Sequence, residues 1–154
     1  MIPLDDVQNI LAGWWFDYDQ GNFDTFSEYF TSDAHFSCRS DSGKTAFEEF
    51  ITADVSGRDE VVAWQIDHRS NSPYPLRHNG CNVNVISADE HAASFRSYIF
   101  VTHVAGGSVV PMASGLCLGS VRHEDGTLRL ADLRVVLDFT DSRLFTEATR
   151  YEVI

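Results

Sequence analysis

Residues 14–39, WWFDYDQGNFDTFSEYFTSDAHFSCR, restrict the fold more than any other stretch of the chain. An apolar helix carrying two tryptophans ends at Tyr18-Asp19, and Gln20-Gly21-Asn22 forms a short turn. A second amphipathic piece then leads through Thr31-Ser32-Asp33-Ala34 into a strand at 35–39. We read this stretch as closing one end of a cone-shaped pocket, with Asp19 directed inward.

The flanking sequence supplies the rest of that body. Residues 4–19 read as the helix, with Asp5 and Asp6 suited to its positive first turn and Val7, Ile10, Leu11, Trp14, Trp15 and Tyr18 on one broad face. Phe23, Phe26, Tyr29 and Phe30 predict a second, shorter helix. Residues 45–55 predict a third, because Thr45 and Glu48 stand at capping-box spacing before Phe50 and Ile51. Residues 56–76 stay open between helix and strand over Val61, Val62, Trp64 and Ile66. Asn71-Ser72-Pro73-Tyr74-Pro75 is loop, either a lid or an idle connection.

From 76 onward the pattern changes to strands at 77–87, 91–104, 108–123 and 128–139, joined by turns at Ala88-Asp89-Glu90, Gly106-Gly107 and Glu124-Asp125-Gly126. The end of the chain, 141–154, is charged and reads as irregular or a short helix. Helices first and long antiparallel strands after make an α+β arrangement, with helices on one face of a curved sheet. No linker or repeat interrupts it, so 1–154 reads as one domain.

Charge and cysteine usage narrow the partners. Eleven basic against 23 acidic residues give a net charge of −12, which repels phosphate backbones and anionic membranes. Neither nucleic acid nor membrane is therefore an expected partner, and no apolar run approaches a bilayer span. The N-terminal MIPLDDVQ has no basic region and no apolar signal core, so a cytoplasmic location is expected. Cys38, Cys81 and Cys117 form no CxxC and fall in strands, where buried thiols are expected. His35, His68, His91 and His123 show no metal-ligand spacing, and GxSxG, Walker A and GxGxxG are absent, so neither metal nor cofactor is expected.

Asp19 and His78 are the sharpest candidates for chemistry. A carboxylate at a helix end can hold an imidazole in one tautomer and stabilise its protonated form, and such a pair moves protons. The two lie 59 positions apart, and taken singly they read as a helix-terminal acid and a surface histidine. His103 shares a strand face with Phe95, Ser97, Ile99 and Val101, which makes it a site candidate or a satisfied structural histidine. Tyr18 is either a core aromatic or a hydrogen-bond donor to a substrate oxygen. Arg96, Arg134 and Tyr98 could meet an acidic group, or simply face solvent.

At this point the sequence resembles a family. Tyr18-Asp19, Asn22-Phe23-Asp24, Phe30 and Thr31-Ser32-Asp33-Ala34, in that order, resemble the opening of SnoaL-like proteins, within the superfamily named after nuclear transport factor 2. Glu124-Asp125-Gly126-Thr127-Leu128-Arg129-Leu130 resembles a later hairpin of the family, with Leu128 where an aromatic is common. The resemblance implies a cone of mixed, curved sheet packed on three N-terminal helices. It is closest to the branch of scytalone dehydratase, hexachlorocyclohexane dehydrochlorinase and bile-acid dehydratase, whose Asp–His dyad falls on Asp19 and His78. Tyr18 and His103 fall on two further site residues of scytalone dehydratase. A second tyrosine of that enzyme falls on Cys38, and its serine and asparagine fall near Gly115 and Cys117, which argues against scytalone itself as substrate.

Two readings follow from different classes. In the first the chain is a cofactor-free, dehydratase-like lyase. His78 removes a proton, Asp19 orients it, and Tyr18 or His103 binds the oxygen of a small, largely apolar, cyclic substrate. Trp14, Trp15, Phe16, Phe36 and Phe95 are available as lining, with Cys38 and Cys117 nearby. Isomerisation or cyclisation would use nearly the same groups. In the second reading the same cone is a binding or assembly module without chemistry. Either way a curved open sheet calls for cover, so a homo-dimer or homo-trimer is expected.

Overall fold

The first helix sets the frame in the computed structural model, which describes residues 1–147. Helix α1 (Leu4–Gln20) buries Val7, Leu11, Trp14, Trp15 and Tyr18 on one face. Its end is a Schellman turn: Gly21 takes φ 72°, its N–H donates to Tyr18 O at 3.2 Å, and Asn22 N–H donates to Asp17 O at 2.9 Å. Glycine is needed there because a left-handed conformation is costly for residues with a Cβ. The turn halts the helix just after Asp19 and sends the chain back toward the sheet.

Six strands form one mixed sheet in the order β2-β1-β6-β5-β4-β3. They are β1 (Phe30–Ser40), β2 (Ala53–Ser56), β3 (Leu76–Ala88), β4 (Ala92–Ala105), β5 (Ser108–Glu124) and β6 (Thr127–Leu137). All neighbours are antiparallel except β1 and β6, which run parallel. The sheet curves around α1 and α3 (Arg58–Ser70), in the cone-shaped α+β arrangement. Two glycines of β5 let it close on β6: a Cβ on Gly115 would lie 2.2 Å from Val136 O, and one on Gly119 would lie 2.1 Å from Asp132 O. His35 ties β1 to both neighbours, with Nδ1 2.8 Å from Asp132 Oδ1 and Nε2 2.9 Å from Asp54 Oδ1.

Two local expectations are corrected, and one stretch left open resolves as a helix. The helix expected at 23–30 is one turn of 3-10 helix at Phe26–Tyr29, because Phe30 and Thr31 are already taken into β1. The helix expected over 45–55 shrinks to α2 (Glu48–Ile51), because Ala53–Ser56 pairs with β1 along its free edge. Glu48 meets Thr45 as the spacing predicts, yet its carboxylate is held mainly by Ser40, through N–H at 3.1 Å and Oγ–H at 2.5 Å. The third long element is instead α3, in the stretch left open. Acidic Asp59 and Glu60 start it and Arg69 stands in its last turn, matching the helix dipole.

Strand β4 sorts its faces sharply. Phe95, Ser97, Ile99 and Val101 are buried, while Arg96, Tyr98 and Phe100 are exposed on the outer face. Cys38 and Cys117 are buried as expected, but Cys81 is exposed, because β3 is the edge strand and much of it faces solvent. No helix among the described residues is long and apolar enough to cross a membrane. Residues 141–147 contain one turn, with Glu147 N–H on Leu144 O, and the rest of the expected C-terminal segment, 148–154, lies outside the described residues.

Candidate active site

Asp19 reaches from the last turn of α1 to the first residues of β3. Its Oδ1 lies 2.5 Å from His78 Nδ1, and its Oδ2 accepts the His78 backbone N–H at 2.7 Å. Both oxygens thus hold one residue, and both side chains are nearly closed to solvent, at 5% and 10% exposure. The His78 ring stacks on Trp15, with centroids 4.5 Å apart and planes 2° from parallel. The Tyr18 ring meets it edge-on at 5.3 Å. A carboxylate only accepts, so a neutral His78 carries its proton on Nδ1 and presents the Nε2 lone pair.

The backbone turn that carries Asp19 is held by Arg69, from the end of α3. Its Nε donates to Tyr18 O and Asp19 O at 3.1 Å, and its Nη2 donates to Asp19 O at 2.8 Å. Nη1 reaches Ser72 O and Pro73 O at 3.4 and 3.2 Å. The last turn of α1 contains no basic residue of its own. Arg69 supplies the positive charge for the negative end of that helix and satisfies its free carbonyls from outside.

A cavity of about 430 Å³ opens beside the pair. Its walls are mostly apolar, with Trp14, Trp15, Phe36, Trp64, Leu76 and Val135 among them. His78 lines this cavity. Asp19 lines not this cavity but a second cleft between α1 and β3, which His78 and Trp15 line as well. A second histidine, His68 of α3, also lines the cavity, with Nδ1 2.5 Å from the Tyr18 hydroxyl. Phe50 and Trp64 stack on the His68 ring at 4.4 and 4.8 Å. Burial, helped by the nearby His78, lowers the His68 pKa to about 4, so it is neutral around pH 7. Burial raises the Tyr18 phenol well above its ordinary value, against the lowering effect of Arg69, and keeps it protonated.

The family model of the SnoaL-like domain matches residues 4–134. The chain belongs to the SnoaL-like family. No curated protein matches it. A candidate scytalone dehydratase from Novosphingobium aromaticivorans is similar in structure, at a TM-score of 0.69 and 14% identity, over 91% of this chain and 87% of that one. An NTF2-like protein with a cystatin-like fold from the same organism is 18% identical, with a TM-score of 0.69, over 86% and 80%. The beta subunit of benzoate 1,2-dioxygenase from Burkholderia mallei is 21% identical, with a TM-score of 0.66, over 89% and 91%. At these identities the likeness concerns the fold.

Within this SnoaL-like cone, the residues singled out from sequence separate into two groups. Tyr18, His78, Trp15, Phe36 and Cys38 line the cavity, and Asp19 lines the second cleft. Phe95 and Cys117 do not reach it. They are 1% exposed in the core, where Phe95 packs toward Gly119. His103 also stands outside the lining, half-buried near the end of β4, past a break in register between Val101 and Thr102 that interrupts the simple alternation. Phe16 is 63% exposed, on the outer side of α1. His68 and Arg69 were missed as site residues. The signal was present in the i, i+4 pairs Trp64/His68 and Gln65/Arg69, but it becomes readable only once 58–70 is taken as a helix.

The neutral His68 has a consequence for stability. In the unfolded SnoaL-like chain it takes a proton near 6.5, whereas the folded form holds out to about 4. Its effect is therefore nil above pH 6.5. Stability is lost as pH falls from 6.5 toward 4, because only the unfolded chain binds the proton there. The full linkage value is reduced by the solvent that reaches this half-buried ring, which leaves roughly 1–2 kcal/mol across the window. Urea titrations of the wild type and His68→Phe at pH 7 and pH 4.5 should show this difference. A wild-type-minus-variant stability that stays flat with pH would contradict the neutral assignment.

Proposed function

We propose that this chain is a cofactor-free lyase of the dehydratase type, acting on a small, largely apolar, cyclic molecule. One observation carries the reading. Asp19 and His78 are hydrogen-bonded at 2.5 Å beside an apolar cavity, with Nε2 of His78 unpartnered among the described residues. In this reading Nε2 takes a proton from a carbon next to a carbonyl or similar activating group. Asp19 stabilises the imidazolium that forms, and the proton then leaves Nε2 for the departing hydroxyl, which is released as water. His78 ends the cycle neutral. The hydroxyl of Tyr18 lies on the same wall and is the group suited to bind the substrate oxygen, a role that the position of His103 supports less well. Acid–base help of this kind contributes about 10²–10⁴-fold, and an enclosed pocket adds positioning.

Isomerisation or cyclisation would use the same base and the same oxygen-binding group, so the product identifies the reaction. The experiment is a screen of cyclic β-hydroxy ketones for water loss, followed by mass spectrometry, with Asp19→Asn as control. Turnover that is the same in both proteins would remove the dyad from the chemistry. Saturable binding without any turnover would favour a ligand-binding module in the same cavity.

The outer face supports a second proposal, a homo-dimer or homo-trimer. Tyr98 and Phe100 stand exposed beside Leu116 and Leu118 of β5 on that face. Sedimentation velocity should give an oligomer for the wild type and a monomer for the double variant Tyr98→Glu, Phe100→Glu. A monomeric wild type at micromolar concentration would refute it.

A further inference from the structure

We propose that His68 is a positioning residue that aims the hydroxyl of Tyr18 at a hydrogen-bond-accepting oxygen of the substrate, so that the two residues form an oxygen-binding arm beside the His78 base. This rests on the reading that the apolar cavity holds the substrate. Both groups line that cavity, and Nδ1 of His68 is 2.5 Å from the Tyr18 hydroxyl.

The two histidines of the site are held in different ways. Nδ1 of His78 faces a carboxylate, which fixes the proton on that nitrogen. His68 has no carboxylate partner, and its Nε2 has no partner among the described residues. Nothing at the far nitrogen therefore selects a tautomer. In the empty site Nδ1 accepts from the Tyr18 O–H. When a ligand oxygen arrives, the other neutral tautomer donates Nδ1–H to the phenol oxygen and frees the phenol proton for the ligand. A serine could take either role but would hold its oxygen on a rotating bond. The histidine ring is held by its stacking on Phe50 and Trp64. The low basicity that burial gives His68 also argues against its acting as the base. The tautomer change exchanges one proton with solvent, lost at Nε2 and regained at Nδ1, so the pair keeps its net proton count, the arm polarises an oxygen and the proton chemistry stays with His78.

Such an arm restricts the ligand class. A molecule with a carbonyl or ether oxygen at one end and an apolar ring body fits, and a pure hydrocarbon wastes the arm. The test uses 1-tetralone and its oxygen-free counterpart tetralin, with binding followed through quenching of Trp14, Trp15 and Trp64, which all line the cavity. Wild type should prefer the ketone, and the infrared carbonyl band of bound 1-tetralone should shift to lower wavenumber. Tyr18→Phe and His68→Phe should each lose about fivefold in 1-tetralone affinity, the worth of one hydrogen bond, with tetralin affinity kept and the band unshifted. His68→Asn, which restores a polar atom at the Nδ1 position and loses the stacked ring, should recover both ketone affinity and band shift. A role in packing alone predicts the reverse order, with the phenylalanine variant normal and the asparagine variant impaired, and that result would overturn the proposal. So would a wild type that does not prefer the ketone, or a His68→Phe variant that loses tetralin as well. None of these readouts needs turnover. A protein that binds the ketone through this arm and never releases water would therefore sink the lyase reading and leave the present one standing.

Discussion

Asp19→Asn is expected to lower turnover by about 10²–10⁴-fold, the size of the acid–base contribution, and to leave the fold intact. The reason lies in how the two oxygens of Asp19 are used. One accepts the backbone N–H of His78 and the other faces Nδ1. An asparagine can keep the first contact through its carbonyl oxygen, and then its amide N–H₂ points at Nδ1. Nδ1 must accept, so the proton of the neutral ring moves to Nε2 and the lone pair proposed as the base is gone. The variant remains a hydrogen-bonded pair with the wrong tautomer. His78→Ala removes the base outright and should lose at least as much, while the cavity keeps its affinity for apolar ligands. Steady-state kinetics on a substrate found by the screen, alongside thermal melts, would check both. Variants that lose several kcal/mol of stability while kcat stays unchanged would make the pair a structural tie and nothing more.

Arg69→Leu should have the largest effect on stability, on the order of 3 kcal/mol, because it strips buried carbonyls of their donors. Arg69 is only 6% exposed and serves the backbone oxygens of Tyr18, Asp19, Ser72 and Pro73 together. Leucine fills part of the space and satisfies none of them. For a chain of this length that loss corresponds to a fall in melting temperature of roughly 10 °C. Arg69→Lys should recover only part, since an ammonium on a flexible stem cannot match the planar fork. Calorimetry on the three proteins would measure it, and a loss below about 1 kcal/mol for leucine would mean that water replaces the guanidinium at little cost. Because the same bonds hold the last turn of α1, turnover in Arg69→Leu should fall as well, through misplacement of Asp19.

The elements were legible where one local pattern dominated. Helix α1 was readable because its apolar face repeats at helical spacing and Gly21 stops it, and the strands beyond 76 were readable from their turns. The stretch 45–55 was misread because its strongest local cue, Thr45 with Glu48, is real but is used elsewhere: Glu48 is held by Ser40 of β1. The free edge of β1 then drew 53–56 into pairing against the helical pattern. Tertiary context overrode propensity there, as it often does in short segments.

The site divides along the same line. The order of residues by itself determined that a helix ends in Tyr18-Asp19 at a glycine turn, that β3 begins near His78, and that the surface is strongly acidic, because local backbone preference and charge need no partner to act. Only the tertiary structure decided that Asp19 meets His78 across 59 positions, that His68 turns to Tyr18, that Arg69 locks the end of α1, and that Phe95, Cys117 and His103 stand away from the cavity. Contacts between distant residues depend on sheet order, bulges and helix placement. These are settled by the burial of the whole core at once, and no short window of sequence contains them.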